Sequence, residues 1–441
     1  MLLNPFVSST FRISHGDRRI SLPFLSPTSQ RELPFYPSRK PSPACCLSVE
    51  RPNDQSPAAA ANGGNLGLRV VVAAGGTAGH ISPAMAIGDE LKSADPPTRI
   101  LFVGCPNSME STTVPAAGFD FAAISAGKLS RPFLYLTNLF GLPLNLLRSA
   151  RESYAILRDF EPQIVVGTGG HVSFPTCLAA VVLGIKLVIQ EQNSVPGIAN
   201  WVLSFFADKI FTAFNSAVNS FPKRSAAKCV VCGNPIRQAL RRYISKAAAR
   251  VNYFGQWAGA MAEAKVVLVL SGSLGANSVN IALLNCYSQV LSEHENWFFI
   301  WQTGVEAFDE MDSLVRSHPR LFLAPFLKSI DMAYAASDLV VSRAGAMTCS
   351  EILALGKPSI LIPSPKNEEG HQLRNASLMA DIVGAKVISE EELDSIALRT
   401  AMEEVLGDEE RMAEMSERAL KAAKPDAASV IAQHILSLVK S

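Results

Sequence analysis

From Leu66 to the end of the chain, short apolar runs alternate with stretches of helical periodicity, and this alternation strongly limits the possible folds. A strand buried on both faces reads as a continuous apolar run, so the pattern predicts parallel sheets covered by helices. Six runs lie in the first half, at 69–74, 99–103, 163–166, 186–189, 209–213 and 228–232. Six more follow, at 265–270, 297–301, 321–324, 338–341, 359–362 and 385–388. The sequence therefore predicts an α/β protein of two doubly wound, Rossmann-like domains.

The first 65 residues differ in composition from the rest. Residues 1–51 carry seven Lys or Arg against three acidic residues, are rich in Ser and Pro, and lack the apolar core of a secretory signal. This composition is typical of an organellar transit peptide. We expect 1–65 to be a transit peptide and linker, 66–236 the first domain and 237–425 the second. Residues 426–441 are predicted to form a helix that completes the first domain.

Charge and cysteine spacing argue against several functions. The net charge of +1 gives no support for a nucleic-acid partner, which normally requires a basic excess. Cys229 and Cys232 form the single Cys-x-x-Cys pair, and two buried thiols on a strand explain it better than zinc or redox chemistry. Because no Asp-x-Asp pair lies near a predicted strand end, neither a metal nor another cofactor is expected.

The segment 128–151 has the composition of a membrane-facing surface. Residues 132–147 carry no charge and are flanked by Lys128 and Arg131 before and by Arg148 and Arg151 after. The uncharged run is too short and too broken to span a bilayer, but it suits an interface with basic side chains on lipid phosphates. An ordinary buried helix explains the composition equally well.

Two glycine-rich turns follow strands of the first domain, at 75–80 and 167–173. Glycines allow a close backbone approach, and the helix that follows offers free N–H groups to an anion. We expect Ser82 to cap the first of these helices and Pro83 to begin it. His80 and His171 place an imidazole at the edge where such sheets bind ligands. The polar residues 190–193 follow the next strand. For these residues and for both histidines, the alternative is a loop side chain that is solvated and binds no ligand.

The second domain repeats this arrangement at 271–277 and 342–351. The first of these turns presents the Ser273 hydroxyl and backbone N–H groups that suit a diphosphate. In the second, Glu351 lies on the helix that follows the turn, where a carboxylate can accept hydrogen bonds from both ribose hydroxyls. Its apolar neighbours argue against a solvated helix face. These turns predict a nucleotide-sugar site.

Seven motifs in a fixed order make residues 68–440 resemble the lipid II-forming N-acetylglucosaminyltransferases of peptidoglycan synthesis, the MurG family. The segments that carry the resemblance are 75–80, 169–173, 190–193 (here without a histidine), 233–237, 271–276, 343–351 and 371–376. The resemblance implies a GT-B fold, with two facing Rossmann-like domains and a cleft between them. It also implies UDP-GlcNAc as donor and a lipid-diphosphate-linked sugar as acceptor. The predicted transit peptide then implies a plastid, with the protein peripheral on the stromal side of the inner envelope or thylakoid membrane and segment 128–151 as its membrane surface.

The resemblance also assigns roles to individual residues. Leu327 would contact uracil through its backbone, Glu351 the ribose, and Arg237 would lie at the hinge within reach of the nucleotide. The donor diphosphate and sugar would be bound by Ser273, Ala346, Met347, Thr348, His371, Gln372 and Asn375. The acceptor diphosphate would be bound by Gly75, Gly76, Thr77, Gly79, Gly169, Gly170, His171 and Asn193. His80 is the candidate base for an inverting, single-displacement transfer, since an imidazole suits proton removal near neutrality, and a phosphate-binding role is its alternative.

Three positions depart from the family pattern: Leu274 replaces a common Gln beside the diphosphate, Ala78 replaces a Gly, and Phe174 fills a position often occupied by Gly. Loss of one hydrogen bond from a neutral side chain to a charged group costs roughly 1.5–3 kcal/mol, which would slow an enzyme without abolishing its activity. Two alternatives keep the fold. One is a plastid glycolipid synthase that uses UDP-galactose and diacylglycerol, and the other is a membrane scaffold that has lost catalysis.

Overall fold

The computed structural model describes residues 67–127, 136–256, 261, 263–365 and 370–440. The predicted transit peptide and linker, 1–65, lie outside the described residues, as does the beginning of the predicted membrane surface, 128–135. No helix among the described residues is long and apolar enough to cross a membrane.

Two parallel sheets organise the described chain, which confirms the predicted α/β class and the two Rossmann-like sheets. The first sheet has seven strands in the order β3-β2-β1-β4-β5-β6-β7. They are β1 Arg69–Ala73, β2 Arg99–Gly104, β3 Asp120–Ala123, β4 Ile164–Gly167, β5 Lys186–Glu191, β6 Lys209–Thr212 and β7 Cys229–Val231. The second sheet has six strands in the order β10-β9-β8-β11-β12-β13. They are β8 Lys265–Leu270, β9 Trp297–Gln302, β10 Leu321–Ala324, β11 Leu339–Ser342, β12 Ser359–Leu361 and β13 Lys386–Val387.

Helices connect consecutive strands in both sheets. Those of the first half are α1 Ala78–Ala94, α2 Met109–Ala116, α3 Leu136–Phe160, α4 Ser173–Val182, α5 Ile198–Leu203, α6 Asn215–Ser220 and α7 Lys223–Ala226. The connection between the sheets contains α8 Gln238–Arg241 and α9 Lys246–Phe254. The second half contains α10 Asn277–Leu284, α11 Tyr287–Glu293, α12 Phe308–Leu314, α13 Ile330–Ala336, α14 Ala346–Leu355, α15 His371–Val383, α16 Ser395–Leu406 and α17 Glu409–Ala422, followed by α18 Ala427–Lys440.

Both sheets reverse their strand order at the centre, between β1 and β4 in one and between β8 and β11 in the other. Such a switch point opens a crevice at the carboxyl ends of the two central strands. The four glycine turns of the sequence follow β1, β4, β8 and β11, so each crevice is lined by two of them. The topology therefore brings the predicted turns together in pairs.

The last helix, α18, packs against the first sheet. Ile431 and Ile435 are fully buried in one apolar cluster with Val70 and Val72 of β1. The polypeptide therefore crosses between the two halves twice, once near residue 234 and once before α18.

Two local details differ from the sequence-based expectation. Strand β3 was not predicted, because it is a short edge strand that begins with the exposed Asp120 and alternates little in burial. The expectation that Ser82 and Pro83 begin the first helix was wrong, since α1 starts at Ala78 after an extended Thr77. Pro83 lies inside the helix, where its missing N–H forfeits one backbone bond. The earlier start puts His80 in the first turn of α1.

Candidate active site

The two glycine turns of the first domain are in direct contact. A Cβ atom built on Gly170 would lie 2.1 Å from the Gly75 carbonyl oxygen, and one on Gly76 would lie 2.9 Å from Nδ1 of His171. The φ angles of Gly76 and Gly170 are +90° and +84°, a region that residues with a side chain avoid. These positions require glycine for both reasons, and the turns form one continuous backbone surface at the β1/β4 crevice.

His80 projects into this crevice with a defined orientation. Its Nδ1 lies 3.0 Å from the Thr168 carbonyl oxygen and 3.2 Å from Oε1 of Gln192. The Thr168 hydroxyl in turn donates to the His80 carbonyl oxygen at 2.9 Å. Because both neighbours of Nδ1 are acceptors, the hydrogen of a neutral ring is assigned to Nδ1, and Nε2 carries a lone pair. An imidazole in this tautomer can accept a proton at Nε2.

His171 has a partner that the sequence analysis missed. Its Nε2 lies 3.3 Å from Sγ of Cys105, the residue that follows β2. The Cys105 N–H donates to Oε1 of the buried Glu110 at 3.1 Å, and a Cβ atom on Gly75 would lie 2.5 Å from the same oxygen. The position of Cys105 directly after β2, the strand that pairs with β1, was a signal that sequence reasoning could have used.

Glu191 holds the loop that contains Asn193. Its buried carboxylate accepts from the Asn193 N–H at 2.9 Å and the Asn193 side-chain amide at 3.1 Å. It also accepts from the Gly197 N–H at 3.1 Å and from Nδ2 of Asn200 at 2.8 Å. The carboxylate thus orders the loop from within, while Asn193 stays half-buried at the crevice.

In the second domain, Glu351 is half-buried on α14 rather than solvated. The Tyr334 hydroxyl donates to its Oε2 at 2.9 Å. Burial raises the pKa of Glu351 to about 7, and the hydrogen bond from Tyr334 opposes that rise. The carboxyl group is thus poised to accept hydrogen bonds from ligand hydroxyls at the cost of little further desolvation.

Residues that were predicted to bind the uracil and the donor sugar already form hydrogen bonds within the protein. The N–H of buried Leu327 donates to Oε1 of Gln302 at 3.0 Å, so a base would be bound through the Leu327 carbonyl or would displace Gln302. Oε1 of Gln372 accepts from the Ser364 N–H at 2.9 Å. His371 is buried at the start of α15, next to Gln372.

The predicted diphosphate residues line the β8/β11 crevice. Ala346, Met347 and Thr348 form the first turn of α14, whose N-terminal N–H groups attract an anion. Ser273 is half-buried in the turn after β8, and the Val305 N–H bonds to its carbonyl oxygen at 3.1 Å. Leu274 beside it is 55% exposed, so it supplies apolar surface at the position where the resemblance led us to expect a glutamine.

Two arginines of the predicted motifs are engaged elsewhere. Arg237 pairs with Asp89 of α1, Nε to Oδ2 at 3.4 Å, so α1 rather than the diphosphate turns holds it in the described chain. Arg343 contacts both carboxylate oxygens of Glu390 at 3.1 Å and the Ser278 hydroxyl at 2.9 Å. Both arginines therefore brace the structure around the crevices.

Polar contacts join the acceptor side to the donor side. Oδ1 of buried Asn375 lies 3.4 Å from the N–H of Ser194, in the loop held by Glu191, and its Nδ2 donates to the Ala344 carbonyl at 3.2 Å. Nδ2 of Asn234, in the connection between the sheets, donates to the Ser350 hydroxyl at 2.9 Å. The two crevices therefore adjoin each other across these contacts.

Comparison with known proteins identifies both halves. Residues 70–212 match the glycosyltransferase family 28 N-terminal domain, and residues 266–431 match its C-terminal domain. The UDP-N-acetylglucosamine–N-acetylmuramyl-(pentapeptide) pyrophosphoryl-undecaprenol N-acetylglucosamine transferase of Flavobacterium psychrophilum is 38% identical over 373 residues, which cover 85% of this chain and 98% of that protein. The Bacillus cereus protein of the same name, number 1, is 35% identical, over 85% of this chain and all of its own length.

Solved structures agree with this assignment. The crystal structure of Acinetobacter baumannii MurG superposes with a TM-score of 0.60 at 25% identity, over 85% of this chain and 99% of that one. A UDP-N-acetylglucosamine 2-epimerase, 17% identical, shares the fold with a TM-score of 0.59. The fold, the paired crevices and the sequence relatives agree, and the chain belongs to glycosyltransferase family 28, among the MurG-type N-acetylglucosaminyltransferases.

Proposed function

We propose that the protein transfers N-acetylglucosamine from UDP-GlcNAc to a polyprenyl-diphosphate-linked muramyl-peptide, with inversion at the anomeric carbon. The observation that carries the proposal is the adjacency of two glycine-lined crevices of different chemistry. One presents a histidine with a free lone pair on Nε2, and the other presents a helix N-terminus and a half-buried carboxyl group. The first suits an acceptor hydroxyl and the second a nucleotide diphosphate with its ribose.

The chemistry follows from this arrangement. An acceptor hydroxyl oxygen bonds to the anomeric carbon while the bond from that carbon to the β-phosphate oxygen of UDP breaks. The hydroxyl proton passes to Nε2 of His80, which is oriented by its Nδ1 contacts. The charge that develops on UDP is stabilised by backbone N–H groups at the start of α14.

Membrane association is part of the proposal. On the described part of α3, Leu144 and Leu147 are about 70% and 68% exposed, and Arg148 and Arg151 are exposed beside them. Further large apolar side chains are exposed around α4 and α5, on Val182, Ile198, Trp201, Phe205 and Phe206. Since α3 packs on α4 and α4 on α5, we propose that these exposed side chains belong to the same membrane-binding surface as segment 128–151. Leu144→Asp with Leu147→Asp should reduce co-sedimentation with anionic vesicles, and unchanged co-sedimentation would contradict this surface.

The proposed location is the stromal side of a plastid membrane, supported by the composition of residues 1–65. A fluorescent protein fused to these residues should enter plastids. Its retention in the cytosol would contradict the location without affecting the proposed reaction.

The reaction is tested with the full-length chain and four substrate pairs. UDP-GlcNAc or UDP-galactose is supplied with either a lipid I analogue or diacylglycerol, and the products are identified by mass spectrometry. We expect transfer of N-acetylglucosamine to the lipid I analogue. Galactosylation of diacylglycerol alone would identify a glycolipid synthase, and normal UDP binding without transfer to any acceptor would favour the scaffold.

A further inference from the structure

A line of buried amide side chains runs between the two crevices. Gln190 is the penultimate residue of β5, Gln192 directly follows that strand, and Asn234 lies in the connection to the second domain. Their exposures are 2%, 0% and 4%, so bulk water does not compete for their hydrogen bonds. Three uncharged polar side chains buried in contact are costly unless every group is satisfied, and here they satisfy one another.

The bonds run in one direction. Nδ1 of His80 shares its hydrogen between the Thr168 carbonyl oxygen at 3.0 Å and Oε1 of Gln192 at 3.2 Å, and Nε2 of Gln192 donates to Oε1 of Gln190. Nε2 of Gln190 then donates to Oδ1 of Asn234 at 2.9 Å. Each amide accepts with its oxygen and donates with its nitrogen, so the dipoles add along the line.

The line ends on the donor-side helix. Nδ2 of Asn234 donates to the Ser350 hydroxyl at 2.9 Å, and that hydroxyl donates to the Ala346 carbonyl at 2.9 Å. Ala346 is the first residue of α14, within the turn predicted to bind the diphosphate. Because a carbonyl oxygen can only accept, the Ala346 carbonyl fixes the direction of the hydrogen bonds at the end of the line on α14. The Thr168 carbonyl does the same at His80.

We propose that Gln192, Gln190 and Asn234 are positioning residues that couple ligand binding at the start of α14 to the orientation of the His80 imidazole. The coupling rests on the proposed function, which takes α14 as the donor helix and His80 as the base. A diphosphate at the start of α14 polarises or shifts the Ala346 carbonyl, and the change passes through the amides to Nδ1 of His80. The orientation of the acceptor-side base, which the Thr168 carbonyl already defines, is thereby adjusted when the donor is bound, and we call this coupling the relay.

A conservative substitution at position 190 can keep one acceptor and one donor, and it therefore tests the hydrogen bonds of the line rather than the size of the side chain. An imidazole at position 190 can accept from Gln192 with one nitrogen and donate to Asn234 with the other, so Gln190→His preserves the line. Gln190→Leu has similar size but neither group, and it breaks the line. Thr212→Val is the matched control, because the buried Thr212 hydroxyl on the adjacent strand β6 has no hydrogen-bond partner among the described residues.

The experiment follows the imidazole ¹⁵N resonances of His80 in the full-length chain during titration with UDP alone, assigned with His80→Asn. We expect a UDP-dependent shift in the wild type, in Gln190→His and in Thr212→Val. Gln190→Leu and Asn234→Ala should lose that shift while their UDP affinity stays within about threefold, because the donor crevice itself is intact. A wild-type shift in Gln190→Leu, or its loss in Gln190→His, would overturn the relay.

Kinetics give a second measure. In Gln190→Leu we expect kcat to fall about tenfold with the KM for UDP-GlcNAc nearly unchanged, since the two buried bonds of Gln190 that connect Gln192 to Asn234 are lost. Combining it with Asn234→Ala should cost little more, whereas independent sites would multiply their effects. Multiplied effects would overturn the relay.

Failure of the proposed function is recognised separately. If the wild type binds no UDP, the donor assignment fails, and the relay is then judged from the ligand-free spectra. It predicts that Gln190→Leu moves the His80 resonances and that Thr212→Val does not. Identical ligand-free spectra of Gln190→Leu and the wild type would overturn it.

Discussion

The two crevices differ in how far they are formed before a ligand binds. On the acceptor side, the turns interlock through glycines, and the Nδ1 contacts of His80 leave Nε2 open to a substrate. On the donor side, the groups assigned to the ligand hold internal partners: Glu351 binds Tyr334, Leu327 binds Gln302 and Gln372 binds Ser364. Donor binding therefore exchanges existing bonds at these groups, whereas the proposed base on the acceptor side already presents Nε2 to a substrate. The predictions below test this difference, from the largest expected effect to the smallest.

His80→Ala should lower kcat by about 10²–10⁴-fold, because proton transfer by a positioned base contributes that much. UDP affinity, measured by calorimetry, should stay the same since His80 belongs to the acceptor side. His318→Ala is the control. This histidine precedes the amino end of β10, whereas the crevices lie at the carboxyl ends of the strands, so kcat should be unaltered. Full turnover by His80→Ala would rule out the base.

Gly170→Ala should destabilise the protein by about 3–4 kcal/mol, from the strained φ and the contact with the Gly75 carbonyl together. Gly184→Ala is the matched control, since its φ is +68° but no atom lies within 4 Å of the new Cβ. Its cost should be only about 1–2 kcal/mol. Chemical denaturation measures both, and equal costs would mean that the acceptor turns are not interlocked.

Glu351 should make the donor side dependent on pH. Its pKa in the folded protein is raised to about 7 from a usual 4.5, so the folded protein binds this proton more tightly than the unfolded chain does. The stabilising contribution is complete below pH 4.5 and is lost as pH rises through about 7. Glu351→Gln should thus stabilise the protein by about 1–3 kcal/mol at pH 8 and hardly at pH 4.

The affinity for UDP-GlcNAc, whose diphosphate does not titrate between pH 6 and pH 8, should rise with pH while the stability falls. Only the carboxylate accepts from both ribose hydroxyls, so wild-type binding should strengthen from pH 6 to pH 8, across the pKa of about 7. Glu351→Gln should bind more weakly, with a flat profile over that range. A wild-type profile equally flat by calorimetry would show that this carboxyl group does not contact the nucleotide.

Leu274→Gln should have the smallest effect, tightening UDP binding by about tenfold or less through one added hydrogen bond to the diphosphate. Stability should not change, because Leu274 is 55% exposed. Leu314→Gln, at 52% exposure on α12, controls for the loss of exposed apolar surface. No gain in affinity would mean that position 274 does not reach the diphosphate.

Much of the fold follows from local pattern. Each of the twelve predicted strands overlaps an observed strand, with ends displaced by at most two residues, because buried parallel strands are continuous apolar runs. The glycine turns were predictable for the same reason, since they directly follow those runs. The edge strand β3 was not, because half-exposed residues have no such pattern.

The contacts that complete the candidate site join residues far apart in the sequence. Cys105 meets His171 across 66 positions, and Asn234 meets Ser350 across 116. No local pattern encodes such pairs, which depend on how the crossovers stack the strand ends at one edge. Likewise, Arg237 could be placed at the hinge from its motif, but its pairing with Asp89 on α1 required the structure.

The return of α18 to the first sheet has a consequence for biosynthesis. Val70 and Val72 belong to the first strand of that sheet, yet Ile431 and Ile435, which cover them, lie about 360 residues further along the chain. The first half of the chain therefore leaves the ribosome with part of its apolar face uncovered. That face stays exposed to chaperones until α18 has been synthesised, so deletion of α18 should leave the amino-terminal half incompletely folded rather than merely shorten the protein.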